Sequence, residues 1–297
     1  MVLFQGSIVA LITPFQEDGS LDRKAYCELI EWHIQEGTDG FVCFGTTGEV
    51  PALTEEEKLD LLRLCVEVTS ERVPVIANTG TNSTKASVEF TLKAKEYGAD
   101  GCLAVVPYYN RPTLQGCIQH FQKIAEAGLD CILYHHPKRT GVTLTLETIE
   151  KISHIPHLVG IKEASANLEL CSKISSLPIF SGDDDHTFQL LKRGAAGAIS
   201  VIANILPRKH KEAVERSLKG DFKGAEEVFS ELEPLCKVLS LEINPQPVKY
   251  ALTLLGKCQP FWRLPMIAPS SDVQKKIAEE VLKLHRSKLG GLSFETV

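Results

Sequence analysis

Lys162 closes an apolar run, Leu158-Val159-Gly160-Ile161, and is followed by Glu163 and the helix-start residues Ser165 and Asn167. The run is too short for a helix and rich in β-branched residues, the pattern of a strand buried in a parallel sheet. A lysine where the chain surfaces is simply solvated, as most lysines are. A lysine at the rim of a core is partly desolvated, so its pKa falls and the amine becomes a nucleophile. Polar groups follow other apolar runs in the same way. Gly45-Thr46-Thr47-Gly48-Glu49 follows one, Asn78 another, and Pro107-Tyr108-Tyr109-Asn110 a third. Tyr134 ends a further run, before His135-His136-Pro137-Lys138-Arg139-Thr140-Gly141; Ser181-Gly182-Asp183-Asp184-Asp185 and Ile199-Ser200 follow two more. Hydroxyls, a phenol, a guanidinium and one amine suit covalent chemistry through the amine, with proton transfer and carboxylate binding beside it.

Each group also has an ordinary role. The glycine-framed threonines make a tight turn, and one of Tyr108 and Tyr109 is a packing residue. Arg139 sits in a tight P-x-R-T-G setting that presents its guanidinium to a carboxylate. The three aspartates suit a helix N-terminus, with metal binding a lesser alternative. His135 and His136 at a strand end raise the question of zinc. Adjacent strand residues point to opposite faces, so only one could reach a shared ion, and no H-x-H or H-E-x-x-H pattern supplies further ligands.

The elements that must hold these residues alternate as strand and helix through the first ~220 residues, the signature of a parallel α/β sheet. Strands are expected at 7–14, 40–45, 74–78, 101–106, 131–135, 158–162, 178–182 and 197–200. Amphipathic segments separate them, one of which opens with a capping box from Thr54 to Glu57. Eight strands at a ~27-residue spacing fit a (β/α)8 TIM barrel, which takes about 250 residues and carries its chemistry at the C-terminal ends of the strands. No glycine-rich dinucleotide fingerprint follows the first strand, which disfavours a doubly wound sheet. Residues 1–222 are therefore expected to form the catalytic barrel and 223–297 a C-terminal extension of three helices, with 290–297 a loosely held tail.

Composition narrows the partners. The 297 residues are 43% hydrophobic and 24% charged, as in ordinary soluble globular proteins. A net charge of −6 with no basic cluster argues against nucleic acid or an anionic membrane surface. Neither a signal peptide nor an apolar stretch of spanning length is visible, so a cytoplasmic location is expected. The nine cysteines are scattered with no C-x-x-C pair, and read as small buried hydrophobes in a reducing compartment.

Taken in order, ALITPF, GTTGE, PYYNRP, Tyr134 through Arg139-Thr140-Gly141, GIKEAS, SGDD, EINPQPVKYAL and RLPM resemble the dihydrodipicolinate synthase family. That family belongs to the pyruvate-dependent class I aldolase superfamily, with N-acetylneuraminate lyase. The resemblance spans nearly the whole chain and implies a lyase that condenses pyruvate with aspartate semialdehyde in lysine and diaminopimelate biosynthesis. It implies no cofactor or metal, and a homotetramer arranged as a dimer of dimers. By position, Lys162 would form the Schiff base and Tyr134 would shuttle protons. Thr46 would link Tyr134 to Tyr109 from a neighbouring subunit. Thr46, Thr47 and the backbone near Ile199 would hold the pyruvate carboxylate, and Arg139 that of the semialdehyde.

Two departures stand out. His135 occupies a position where the family usually has Asn, which bears on the shape of the Arg139 loop. Lysine-inhibited members carry a histidine or acid around positions 55 and 58 and a glutamate at 86. Here Glu55, Lys58 and Ala86 stand there, although Asn82 and Tyr108 match. An ammonium at 58 and a missing carboxylate at 86 disfavour a cationic effector, so weak or absent inhibition is expected. The alternatives are a related aldolase acting on a 2-keto sugar acid such as N-acetylneuraminate or 2-keto-3-deoxygluconate, a metal-dependent barrel enzyme, and a non-catalytic binder of a small oxo-acid or a protein partner.

Overall fold

The structure is a computed structural model that describes residues 4–286; the tail expected at 290–297 lies outside them. Eight strands follow one another in the chain: β1 (Gly6–Ala10), β2 (Gly40–Cys43), β3 (Val75–Asn78), β4 (Gly101–Val105), β5 (Cys131–His135), β6 (Leu158–Glu163), β7 (Ile179–Ser181) and β8 (Gly197–Ser200). All pair in parallel, each with its sequence neighbour, and β8 returns to β1 to close the barrel. Between them run α1 (Arg23–Gln35), α2 (Glu55–Thr69), α3 (Thr84–Glu96), α4 (Leu114–Ala125), the single turn α5 (Pro137–Thr140), α6 (Leu146–Ser153), α7 (Leu168–Lys173) and α8 (Thr187–Leu191). Then come α9 (Pro207–Leu218), α10 (Phe222–Leu239), α11 (Gln246–Leu254) and α12 (Ser271–Arg286). Among the described residues no helix is long and apolar enough to cross a membrane.

The strand sequences are apolar on both faces because both faces are buried. Ile8, Val42, Ile76, Leu103, Ile132, Tyr134, Phe180 and Ile199 fill the barrel interior. Their neighbours Val9, Phe41, Val75, Cys102, Leu133 and Ile161 face the helices. Closure at the β1–β8 seam requires Gly197, whose Cβ would fall 2.1 Å from the Gly6 carbonyl oxygen.

All eight strands lie where the sequence puts them, but β1 stops at Ala10 instead of running to 14. Beyond it a side chain takes over part of the ladder: Asn204 accepts from the Ile12 amide at 3.2 Å and donates to the Ala10 carbonyl at 2.8 Å. The capping box at α2 is present, with Thr54 and Glu57 bonded reciprocally. Glu57 also receives the Arg263 guanidinium, which further donates to the carbonyls of Gly19 and Ala52. The segments after 220 read as helical form α10, α11 and α12, and α11 reaches back to the barrel rim. Its Lys249 is fully buried against Glu49, which also accepts from the Arg263 amide.

Candidate active site

Lys162 is the inward-facing residue near the C-terminal end of β6, paired across the ladder with Tyr134 on β5. Its side chain is 6% exposed and its Nζ lies 4.5 Å from the centre of the Tyr134 ring. Among the described residues no hydrogen-bond or carboxylate partner holds the amine. Burial, opposed by the charge of Asp184 and aided by the Arg139 guanidinium, lowers its pKa from 10.5 to about 8. At pH 7 about one amine in ten is then neutral, roughly 300 times the fraction at a pKa of 10.5. Gly182 makes room for the aliphatic stem: a Cβ there would stand 2.9 Å from Lys162 Cε and 3.0 Å from Cγ.

Lys162, Tyr134, Thr46, Thr47, Arg139 and His136 line one cavity of about 260 Å³ at the C-terminal ends of the strands. Burial pushes the Tyr134 phenol up to about 12, with the Arg139 charge and a hydrogen bond with the Thr46 side chain acting against it. At neutral pH the phenol therefore holds its proton and can donate it. Arg139 sits on the exposed turn α5, whose amides at 139 and 140 both donate to the His136 carbonyl at 3.0 Å. Among the described residues no carboxylate pairs with this guanidinium; its one bond is a long 3.4 Å contact to the Asn244 carbonyl. It is thus free to bind an anion.

The threonine loop is held in an unusual shape, with Phe44 and Glu49 both at positive φ. Residues like these strain the backbone unless their surroundings fix them. Glu49 is fixed by Lys249, and Thr13 donates to the Gly48 carbonyl at 2.8 Å. Asn244 completes the support by donating to Thr47 Oγ1 at 3.0 Å. Sequence reasoning missed Asn244 and Lys249 as parts of this site. Their signal lay in EINPQPVKYAL, which carries both but says nothing about which loop they meet.

Two of the expected residues do not line this cavity with their side chains. Tyr109 is 89% exposed, at positive φ, and does not line the cavity of its own chain. The Ile199 side chain is sealed in the barrel interior, and Val201 lines the cavity instead. The acidic run divides: Asp183 caps the turn before α8, while Asp184 points inward and accepts from the Val201 and Ile202 amides.

The histidine doublet splits between the two faces of β5, as alternation requires. His135 faces the helix layer, where its Nδ1 lies 2.8 Å from Glu163 and its Nε2 accepts from the Leu144 amide. That acceptance puts the ring proton on Nδ1, facing Glu163. Glu163 is satisfied on its other oxygen by the Ser165 amide. His135 therefore ties β5 to β6 and to the chain just beyond α5, and both its nitrogens are occupied. A two-histidine metal site from the doublet is ruled out by this geometry.

A buried amine, a protonated phenol and an unpaired guanidinium around one cavity are what imine chemistry on an oxo-acid requires. The profile of the dihydrodipicolinate synthetase family matches residues 3–284. The 4-hydroxy-tetrahydrodipicolinate synthase of Thermodesulfovibrio yellowstonii is 43% identical over 93% of this chain and 97% of its own length. The crystal structure of dihydrodipicolinate synthase from Aquifex aeolicus superposes with a TM-score of 0.93 at 42% identity, covering 95% of this chain and 98% of that one. The Acinetobacter baumannii enzyme, solved in complex with pyruvate, gives a TM-score of 0.93 at 38% identity, over 95% of this chain and 99% of its own. With barrel, rim chemistry and near full-length similarity in agreement, this chain belongs to the dihydrodipicolinate synthetase family.

Proposed function

We propose that the chain is a 4-hydroxy-tetrahydrodipicolinate synthase, which condenses pyruvate with aspartate semialdehyde and releases one water. The neutral Lys162 amine adds to the pyruvate ketone, and loss of water gives an iminium. This cation is an electron sink, so a methyl proton leaves and the resulting enamine attacks the aldehyde carbon of the acceptor. The alkoxide takes up a proton and the acceptor's α-ammonium group gives one up; the freed amine then attacks the iminium carbon, closing the ring and expelling Lys162. Tyr134 is the group that carries protons in these steps, oriented by Thr46. Thr46 and Thr47 hold the pyruvate carboxylate, with backbone near Ile199, and Arg139 clamps the carboxylate of the semialdehyde.

The observation that carries the reading is the unpaired Lys162 amine buried beside Tyr134. Arg139 favours the semialdehyde over a 2-keto sugar acid, whose acceptor half needs hydroxyl recognition. The exposure of Tyr109 fits donation of its phenol to the cavity of a second copy, within a homotetramer built as a dimer of dimers. A cytoplasmic setting accords with the nine unpaired cysteines. The test is borohydride trapping with pyruvate, followed by intact mass and peptide mapping. An adduct on the Lys162 peptide, absent from Lys162→Ala, is expected; no adduct with intact pyruvate overturns the imine mechanism. Cleavage of 2-keto sugar acids without semialdehyde condensation would move the protein to the related aldolases.

A further inference from the structure

His136 is a polar group in the catalytic cavity to which the chemistry above gives no role. It follows His135 at the end of β5, and its ring stands edge-on to Tyr134 with the centroids 5.8 Å apart. Its backbone carbonyl anchors the turn that carries Arg139, so the residue sits at the base of that turn. The side chain is only partly buried and lines the same cavity as Lys162 and Arg139. Its Nδ1 is buried without a hydrogen-bond partner, and no protein group among the described residues bonds Nε2. With Nδ1 sealed by the protein, Nε2 is the ring nitrogen left open to a ligand in the cavity.

The position narrows what that ligand is. In the condensation proposed above, pyruvate is tied to Lys162 and the acceptor's carboxylate to Arg139, both of which line this cavity. The charges of Arg139 and Lys162 act on His136, and those of Asp183 and Lys138 act on it less strongly. An acceptor spanning Arg139 and Lys162 would carry its α-ammonium group through the cavity that His136 lines.

We infer that His136 is a specificity-determining residue that accepts a hydrogen bond from the α-ammonium group of the acceptor semialdehyde. The inference rests on the condensation proposed above. Burial, Arg139 and Lys162 hold the ring's pKa down at about 4. An imidazole held neutral keeps a lone pair free for an ammonium donor, and it does not remove the proton. The role is therefore recognition and not general base catalysis, which requires a pKa near the working pH. A neutral acceptor also adds no further charge to a site that already contains two cations.

The test compares wild type with His136→Leu, which keeps volume and loses the acceptor, and with His136→Gln, which keeps an acceptor. Each is assayed for condensation with aspartate semialdehyde, for inhibition by succinic semialdehyde, which lacks the amine, and for pyruvate trapping by borohydride. His136→Leu is expected to raise the KM for aspartate semialdehyde roughly 10- to 100-fold, the size of one hydrogen bond to a charged donor. Its affinity for succinic semialdehyde and its trapping rate should stay within about twofold of wild type, and His136→Gln should recover most of the KM. Equal weakening toward both semialdehydes, or a parallel loss of trapping, would make His136 a packing residue and overturn the inference. Should the leucine variant not fold, a His136→Gln enzyme that had lost discrimination for the amine would still overturn it. Wild-type enzyme that traps no pyruvate would instead refute the condensation mechanism itself, and the inference with it.

Discussion

Replacing Lys162 by Met should make the protein more stable while abolishing its imine chemistry. The side chain is buried, and the structure lowers its pKa from 10.5 to about 8. Holding the ammonium there costs about 3 kcal/mol relative to the unfolded chain, since each pKa unit is worth roughly 1.4 kcal/mol. Met keeps the aliphatic stem and removes the charge. Because the folded pKa lies below the unfolded one, the folded protein binds fewer protons between pH 8 and 10.5, and stability rises with pH through that window. The cost is almost complete at pH 7, about 3 kcal/mol, and falls to about 1 kcal/mol at pH 9.5. Urea unfolding of both proteins side by side should show Lys162→Met ahead at pH 7 by about 3 kcal/mol, with the gap narrowing by about 2 kcal/mol at pH 9.5. The same variant should trap no pyruvate. A variant less stable than wild type at pH 7, or a gap that does not change with pH, would refute the desolvated-amine account.

The buried pair of Glu49 and Lys249 should behave asymmetrically. Lys249→Met alone strands a buried carboxylate under the threonine loop and should cost about 3–5 kcal/mol, whereas the double variant Glu49→Leu/Lys249→Met should recover most of it; equal losses in denaturant midpoints would count against the pair. Gly182→Ala places a methyl against the Lys162 stem, and should slow pyruvate trapping by about tenfold or more while the fold survives, since small misplacements of reacting groups are costly. Unchanged trapping would show that the stem has room. Lysine titrated into the condensation assay should inhibit weakly or not at all, because Lys58 sits 4.3 Å over the Phe90 ring and residue 86 is Ala. Half-inhibition well below a millimolar would contradict this.

Much of the fold was legible because its determinants are local. Short β-branched runs, helix periodicity and the Thr54–Glu57 cap each report on a few neighbouring residues, and their repetition eight times leaves few architectures. Knowing that barrel chemistry gathers where strands end was enough to bring Lys162, Tyr134, Thr46, Thr47 and Arg139 into one cavity. The alternation of side chains along β5 separated His135 from His136 before any coordinates were needed.

What the sequence left open depends on residues far apart along the chain. Asn244 reaches Thr47 across 197 positions, and Lys249 reaches Glu49 across 200. No local pattern encodes which loop a returning helix will touch. The same holds for His135, whose partners Glu163 and Leu144 become neighbours only when β5 and β6 pair, and for Asn204, which ends β1 early. The sequence by itself determined the barrel and the rim on which Lys162, Tyr134, Thr46, Thr47 and Arg139 gather, because strand ends converge by topology. Only the tertiary structure decided how far Lys162 is desolvated, which buried pair holds the threonine loop, and that His136 faces the substrate cavity. Those properties arise from the burial and distances that chain closure creates.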